Sequence, residues 1–225
     1  MAVVASVILV GLSLILGVRL LRQYATRPRP HTFWYAIGLL MIVAAATPEL
    51  YFELTGQVPT LLWWLYWMTG GSLVGFLAVG TAYLMSVRFG HAVLAAVALT
   101  TLWVAVATVL TAGAAPAEVG VEMFRSAPTA DIKRPFLMLS IGGTLVLLVG
   151  AVLSYIRTRG LFAVLIALGT LVFAGGHSAA SRGNMVEAFV FAQTAGILLL
   201  YTGVSLSLRP PKKEKVDGQT RAAES

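Results

Sequence analysis

The stretch TPELYFELTG, residues 47–56, ends a long apolar run and yet carries two carboxylates, Glu49 and Glu53. Four positions apart, both fall on one face of a helix. A charge held inside a bilayer costs at least about 2.5 kcal/mol, so such residues face protein or a wet cavity rather than lipid. Pro48 cannot donate to the carbonyl of Ala44 and should kink or open the helix just before Glu49, which again asks for a cavity lining. Like charges one turn apart repel, so one of the pair needs a proton or a cationic neighbour. His177 and Arg182 are the cations within reach.

Counting about 1.5 Å of rise per residue puts Glu49 about 24 Å above the start of its apolar run at Phe33, with His177 at the same level on a later run. Asn184, Glu187 and Gln193 follow on the last run, Gln193 near mid-membrane. In LLWWLYW, residues 61–67, Trp63 and Trp64 read as anchors of an interfacial aromatic belt. Tyr66 and Trp67, a turn further on, are expected to turn inward beside the carboxylates, where aromatic faces and Glu suit a cationic or amphiphilic ligand. The candidate ligand-binding set is therefore Glu49, Glu53, Tyr66, Trp67, His177, Arg182, Asn184, Glu187 and Gln193.

Acid–base work by Glu49 and His177 is conceivable, but no nucleophile, metal or cofactor motif accompanies them, so an enzyme is the least favoured class and no catalytic residue is assigned. The chain has no Cys, which removes disulfides, thiolate metal sites and cysteine nucleophiles. His31 and His91 fall at helix ends far from His177, so the three histidines make no common metal or haem site, and no cofactor is expected.

The elements that must position these residues are membrane spans. With 58% hydrophobic and 11% charged residues and a mean hydropathy of +0.86, the composition does not suit a soluble domain. Runs of the roughly 20 residues needed to cross a bilayer recur seven times, at about 2–21, 33–54, 60–85, 92–113, 136–156, 161–180 and 185–207. The fold class is all-α, a polytopic seven-helix bundle over residues 1–208. Residues 209–225, Pro-led and charged, read as a disordered basic tail. Arg19, Arg22, Arg27, Arg29, Arg88, Arg157 and Arg159 fall in alternate loops and Lys212, Lys213 and Lys215 in the tail. That bias places the N-terminus outside and the C-terminus in the cytoplasm, with the first run retained as a helix. The net charge of +7 then reflects topology and anionic headgroups, not nucleic acid.

IGLLMIVAAATPE, residues 37–49, aligns with IALGTLVFAGGHS, residues 166–178, and each is followed by a span with Thr and Gly near its middle. Helices 1–3 would then repeat as 5–7 in parallel orientation, with helix 4 as linker. That order resembles the three-plus-one-plus-three architecture of SWEET sugar transporters, PnuC-type vitamin transporters and microbial opsins, and it implies their fold. The SWEET Pro-Gln pairs are missing, and the four lysines, Lys133, Lys212, Lys213 and Lys215, lie outside the spans, which excludes a retinal Schiff base. YWMTGG, residues 66–71, and GTAYL, residues 80–84, are similar to stretches of seven-helix bacterial membrane proteins, from which no activity carries over.

The expected function is a small transporter or permease of the plasma (inner) membrane with an outward-opening polar pocket and Glu49 and His177 as proton-coupling groups. The alternative is a non-enzymatic receptor or accessory subunit that binds a small or lipid-like ligand. Expected partners are membrane lipids and a small-molecule or amphiphilic ligand, with a homo-oligomer left open.

Overall fold

The computed structural model describes residues 2–111, 118–120, 129–180 and 186–207, with backbone alone at 2, 118, 158, 162–163, 173–180, 186–190, 204–205 and 207. Among them are seven helices: α1 (Ala2–Thr26), α2 (Pro30–Thr55), α3 (Thr60–Met85), α4 (Val87–Thr111), α5 (Ala130–Thr158), α6 (Leu161–Ala180) and α7 (Val186–Ser207). The first five are long and apolar enough to cross a membrane. The chain is all-α in class and a membrane protein by the length and composition of these helices. The tail from Arg209 lies outside the described residues.

α3 and α6 coincide with the expected runs at 60–85 and 161–180, while other helices run past the apolar stretches that mark them. α5 starts at Ala130, six residues before the expected 136, and takes in Asp131, Lys133, Arg134 and Pro135. Hydropathy sees only the segment matched to lipid, whereas the helix continues through its polar ends. Asp131 in the first turn suits the positive end of the helix dipole, and Pro135 forgoes a single backbone bond. α1 likewise extends to Thr26 and α4 begins at Val87. α2 opens with Pro30 in its first turn, which supplies the fixed φ of a helix start. It closes on Gly56 at φ 76°, whose N–H bonds Phe52 O at 2.8 Å, a left-handed cap that favours glycine. The helix runs unbroken through Pro48.

In the bundle, α1 packs on α2, α2 on α3, α3 on α5, α5 on α6, α6 on α7, and α7 returns to α1. α4 stands outside this ring against α3 and α5. Thr101 Oγ1 of α4 reaches Ser72 Oγ of α3 at 3.3 Å. α3 is the hub, buried without interruption from Thr69 to Ala82. Small residues permit this: a Cβ at Gly143 of α5 would come within 2.9 Å of the Val74 backbone, and one at Gly169 of α6 within 2.8 Å of the α7 backbone. Gly142, the neighbour of Gly143, faces open space.

α1 buries Ser6, Leu9, Ser13, Leu16 and Leu20, a stripe at spacings of three and four. With Leu39 and Ile42 of α2, Leu73 and Leu77 of α3, Leu147 of α5 and Ile197 of α7 it forms the central apolar core. At the end where α2 meets α3, the sequence reading held no strands, yet β1 (Val58–Pro59) pairs antiparallel with β2 (Glu118–Val119). Two residues a side are too few to show a period-two pattern. Val58 and Val119 are both fully buried there, over a cluster of tryptophans.

Candidate functional site

On α2, Ile42, Ala45, Ala46 and Glu49 recur at three and four residues and so share one face. On α3, Tyr66, Gly70 and Leu73 do the same. Leu9 of α1 and Gln193 of α7 complete the wall of a cavity of about 10 Å³, room for one water molecule. Glu49 is 8% exposed and Gln193 5%. Three of the nine lining residues carry polar side chains, Glu49, Tyr66 and Gln193. A carboxylate accepts hydrogen bonds, while a phenol and an amide both donate and accept. The trio can therefore hold a water, a proton or a small cation through oxygen atoms.

Glu53, one turn beyond Glu49, does not line this cavity. Its Oε1 and Oε2 lie 3.1 and 3.0 Å from Ser6 Oγ, and the hydroxyl donates. Thr194 Oγ1, next to Gln193, donates to Ala5 O at 3.2 Å, so neighbouring residues of α1 fasten both α2 and α7 beside the cavity. Just before Pro48, the exposed Thr47 Oγ1 donates to Val43 O at 2.7 Å, one turn back along α2.

Trp67, expected beside the carboxylates, turns to the other side of α3. Its ring meets Phe136 of α5 at 5.2 Å between centroids and lies 5.5 Å from the Tyr66 ring. Trp63 and Trp64, expected in a lipid-facing belt, are buried inside the protein instead, at 0% and 6% exposure. The β1–β2 pair and the start of α5 cover them, through Val58, Val119 and Ile132.

His177 falls on the backbone of α6 and Glu187 on that of α7. Their side chains, and Arg182 and Asn184 altogether, lie outside the described residues. His31 and His91 sit in the first turns of α2 and α4, and the His91 ring stands 5.3 Å from Tyr83.

No family model, curated protein or solved structure matches the chain. What the protein does is therefore argued from the site itself, and the likeness to three-plus-one-plus-three families rests on helix order.

Of the nine candidates, the structure brings Glu49, Tyr66 and Gln193 together and separates Glu53 and Trp67 from them. The sequence reading missed Ser6, the partner of Glu53, and Gly70, which lines the cavity. Ser6 had a signal in the stripe it shares with Leu9 and Ser13 along α1. Gly70 had none beyond its place one turn from Tyr66.

Proposed function

We propose that this chain is a small seven-span transporter of the plasma membrane, N-terminus outside and C-terminus in the cytoplasm, that couples movement of its substrate to a proton held at Glu49. The supporting observation is the position of Glu49: a carboxylate from a membrane-length helix lines a water-sized cavity with Tyr66 and Gln193, where three other helices supply the wall. Burying an ionisable group at such depth is costly and marks ion and proton pathways. A cavity of about 10 Å³ admits no organic substrate, so in this reading the outward pocket opens from an occluded state. The ring order supports a three-plus-one-plus-three arrangement: two runs of three helices meet through α3 with α5 and α7 with α1, while α4 stands aside.

A second reading, a receptor or accessory subunit for a small or lipid-like ligand, is favoured by one observation. The core around Leu39, Leu73, Leu77, Leu147 and Ile197 is apolar, and a through-path would have to cross it.

Purified protein in proteoliposomes, loaded with a pH-sensitive dye and given proton, sodium or potassium gradients, separates the two. The transporter reading expects ion-linked proton flux that falls to the level of empty vesicles in Glu49→Gln. Equal flux in that variant would overturn the role of Glu49, and no flux in the wild type would leave the receptor reading in its place.

A further inference from the structure

Indole N–H groups buried in proteins usually find an acceptor, and an orphaned buried donor calls for an explanation such as a missing ligand or water. Among the described residues, six buried side-chain polar atoms have no hydrogen-bond partner: Ser13 Oγ, the Nε1 atoms of Trp63, Trp64 and Trp67, Thr108 Oγ1 and Thr129 Oγ1. Ser13 stands apart on α1. The other five gather at one end of the bundle. The three tryptophans belong to a single cluster, with the Trp63 and Trp64 rings 4.7 Å apart. Thr108 follows Ala107 of that cluster on α4, and Thr129 immediately precedes the helix that supplies Ile132 and Phe136.

The chemistry of these groups narrows what they would bind. An indole N–H only donates, so the missing partner must offer acceptors. The charged residues next to Ile132 of the cluster, Asp131, Lys133 and Arg134, are exposed, and an anion buried away from a counter-charge is strongly disfavoured. The acceptor is then a neutral one, of which a carbonyl oxygen is the commonest. The surrounding faces are aromatic and aliphatic, which suits an apolar body attached to that carbonyl. This cluster lies about 100° around α3 from the face that meets Glu49, shares only Tyr66 with the lining of the carboxylate cavity, and does not depend on flux through it.

We infer that the Trp63–Trp64–Trp67 cluster is a binding site for a neutral, carbonyl-bearing molecule with an apolar body, held by indole N–H donors. A membrane quinone and the acyl ester of a neutral lipid share this chemistry.

The chain has five tryptophans, which makes the test direct. Protein labelled with ¹⁵N at the indole nitrogens, in detergent micelles, is titrated with a decyl-substituted benzoquinone, with dioctanoylglycerol and with decylbenzene, which lacks a carbonyl. The expected result is saturable shifts of the Trp63, Trp64 and Trp67 indole signals with one of the two carbonyl probes, while Trp34 and Trp103 stay in place. A response to the quinone assigns that source, and a response to the glyceride assigns the lipid. Trp67→Phe keeps a ring and removes the donor, and should weaken binding by about tenfold, the loss expected for a hydrogen bond to a buried acceptor. Three results would each overturn the inference: no response to either carbonyl probe, equal shifts at all five indoles, or saturation by decylbenzene at the same concentration. The wild-type titration stands without any variant, so a poorly folding Trp67→Phe does not decide the matter.

Discussion

Tyr66 and Trp67 are neighbours on α3, separated by about 100° around the helix axis, and they lead into two different interiors. On the Tyr66 side a carboxylate, a phenol and an amide surround a space fit for one water. On the Trp67 side three indoles and two hydroxyls have no hydrogen-bond partner among the described residues, and the charges nearest on α5, Asp131, Lys133 and Arg134, are exposed. The first set can donate and accept, and so can be satisfied by itself or by a water. The second holds three indoles that only donate and cannot satisfy one another, and the two hydroxyls that could accept make no bond to them. Two polar sites a residue apart thus ask for different occupants, and the difference lies in the balance of donors and acceptors rather than in the amount of polarity.

The largest effect that tests this division is packing on the tryptophan side. Trp63 is fully buried, and truncating a buried Trp to Ala typically costs about 3–5 kcal/mol. Trp63→Ala should lower the thermal midpoint in detergent far more than Trp63→Phe, which keeps most of the contact area. Circular dichroism melts of the two variants check this. Equal, small losses would mean that Trp63 lies at a lipid surface after all, and the nest would dissolve into the belt that the sequence suggests.

That belt was a reasonable expectation, and its failure shows what was legible. Glu49 and Tyr66 could be brought together from the sequence because depth follows from counting: a fixed rise per residue sets level, and alternate helices run in opposite directions; the same count puts Gln193 nearer mid-membrane, and only the structure brings it to the cavity. Rotation about the axis is harder to read. A helix reveals its inward face when one side is polar, but α3 is buried without interruption from Thr69 to Ala82, so nothing marked Trp67 as facing α5 rather than α2. The cover over Trp63 and Trp64 was invisible for a second reason. Val58 and Val119 are 61 residues apart and meet through a two-residue ladder that carries no local pattern. Ser6 escaped notice because a hydroxyl in an apolar run hardly changes its hydropathy, although its partner Glu53 was plain.

Gly70 sits between the two interiors and sharpens the comparison. Its backbone lines the Glu49 cavity, yet a Cβ placed on it would meet the Phe136 ring at 3.1 Å, on the tryptophan side. Gly70→Ala should therefore cost about 1 kcal/mol or slightly more, the lower end of what overpacking exacts, with the strain absorbed by the end of the Phe136 ring. The indole signals of Trp67 should move in this variant while proton flux stays near the wild-type rate. Loss of flux with unmoved indoles would reverse the assignment of faces.

The smallest effect concerns the two carboxylates that opened the question. Ser6 Oγ donates to Glu53 across α1 and α2 at 3.0 and 3.1 Å, and hydrogen bonds between membrane helices average about 0.6 kcal/mol, reaching about 1.7. Ser6→Ala should destabilise the protein by an amount in that range, read as a small drop in midpoint of unfolding by SDS titration. Because Glu53 does not line the cavity, proton flux should persist in this variant although it is lost in Glu49→Gln. If Ser6→Ala abolished flux as completely, Glu49 and Glu53 would have to act as one coupled unit across a helical turn. The carboxylate side would then extend to the end of the bundle instead of closing around a single water.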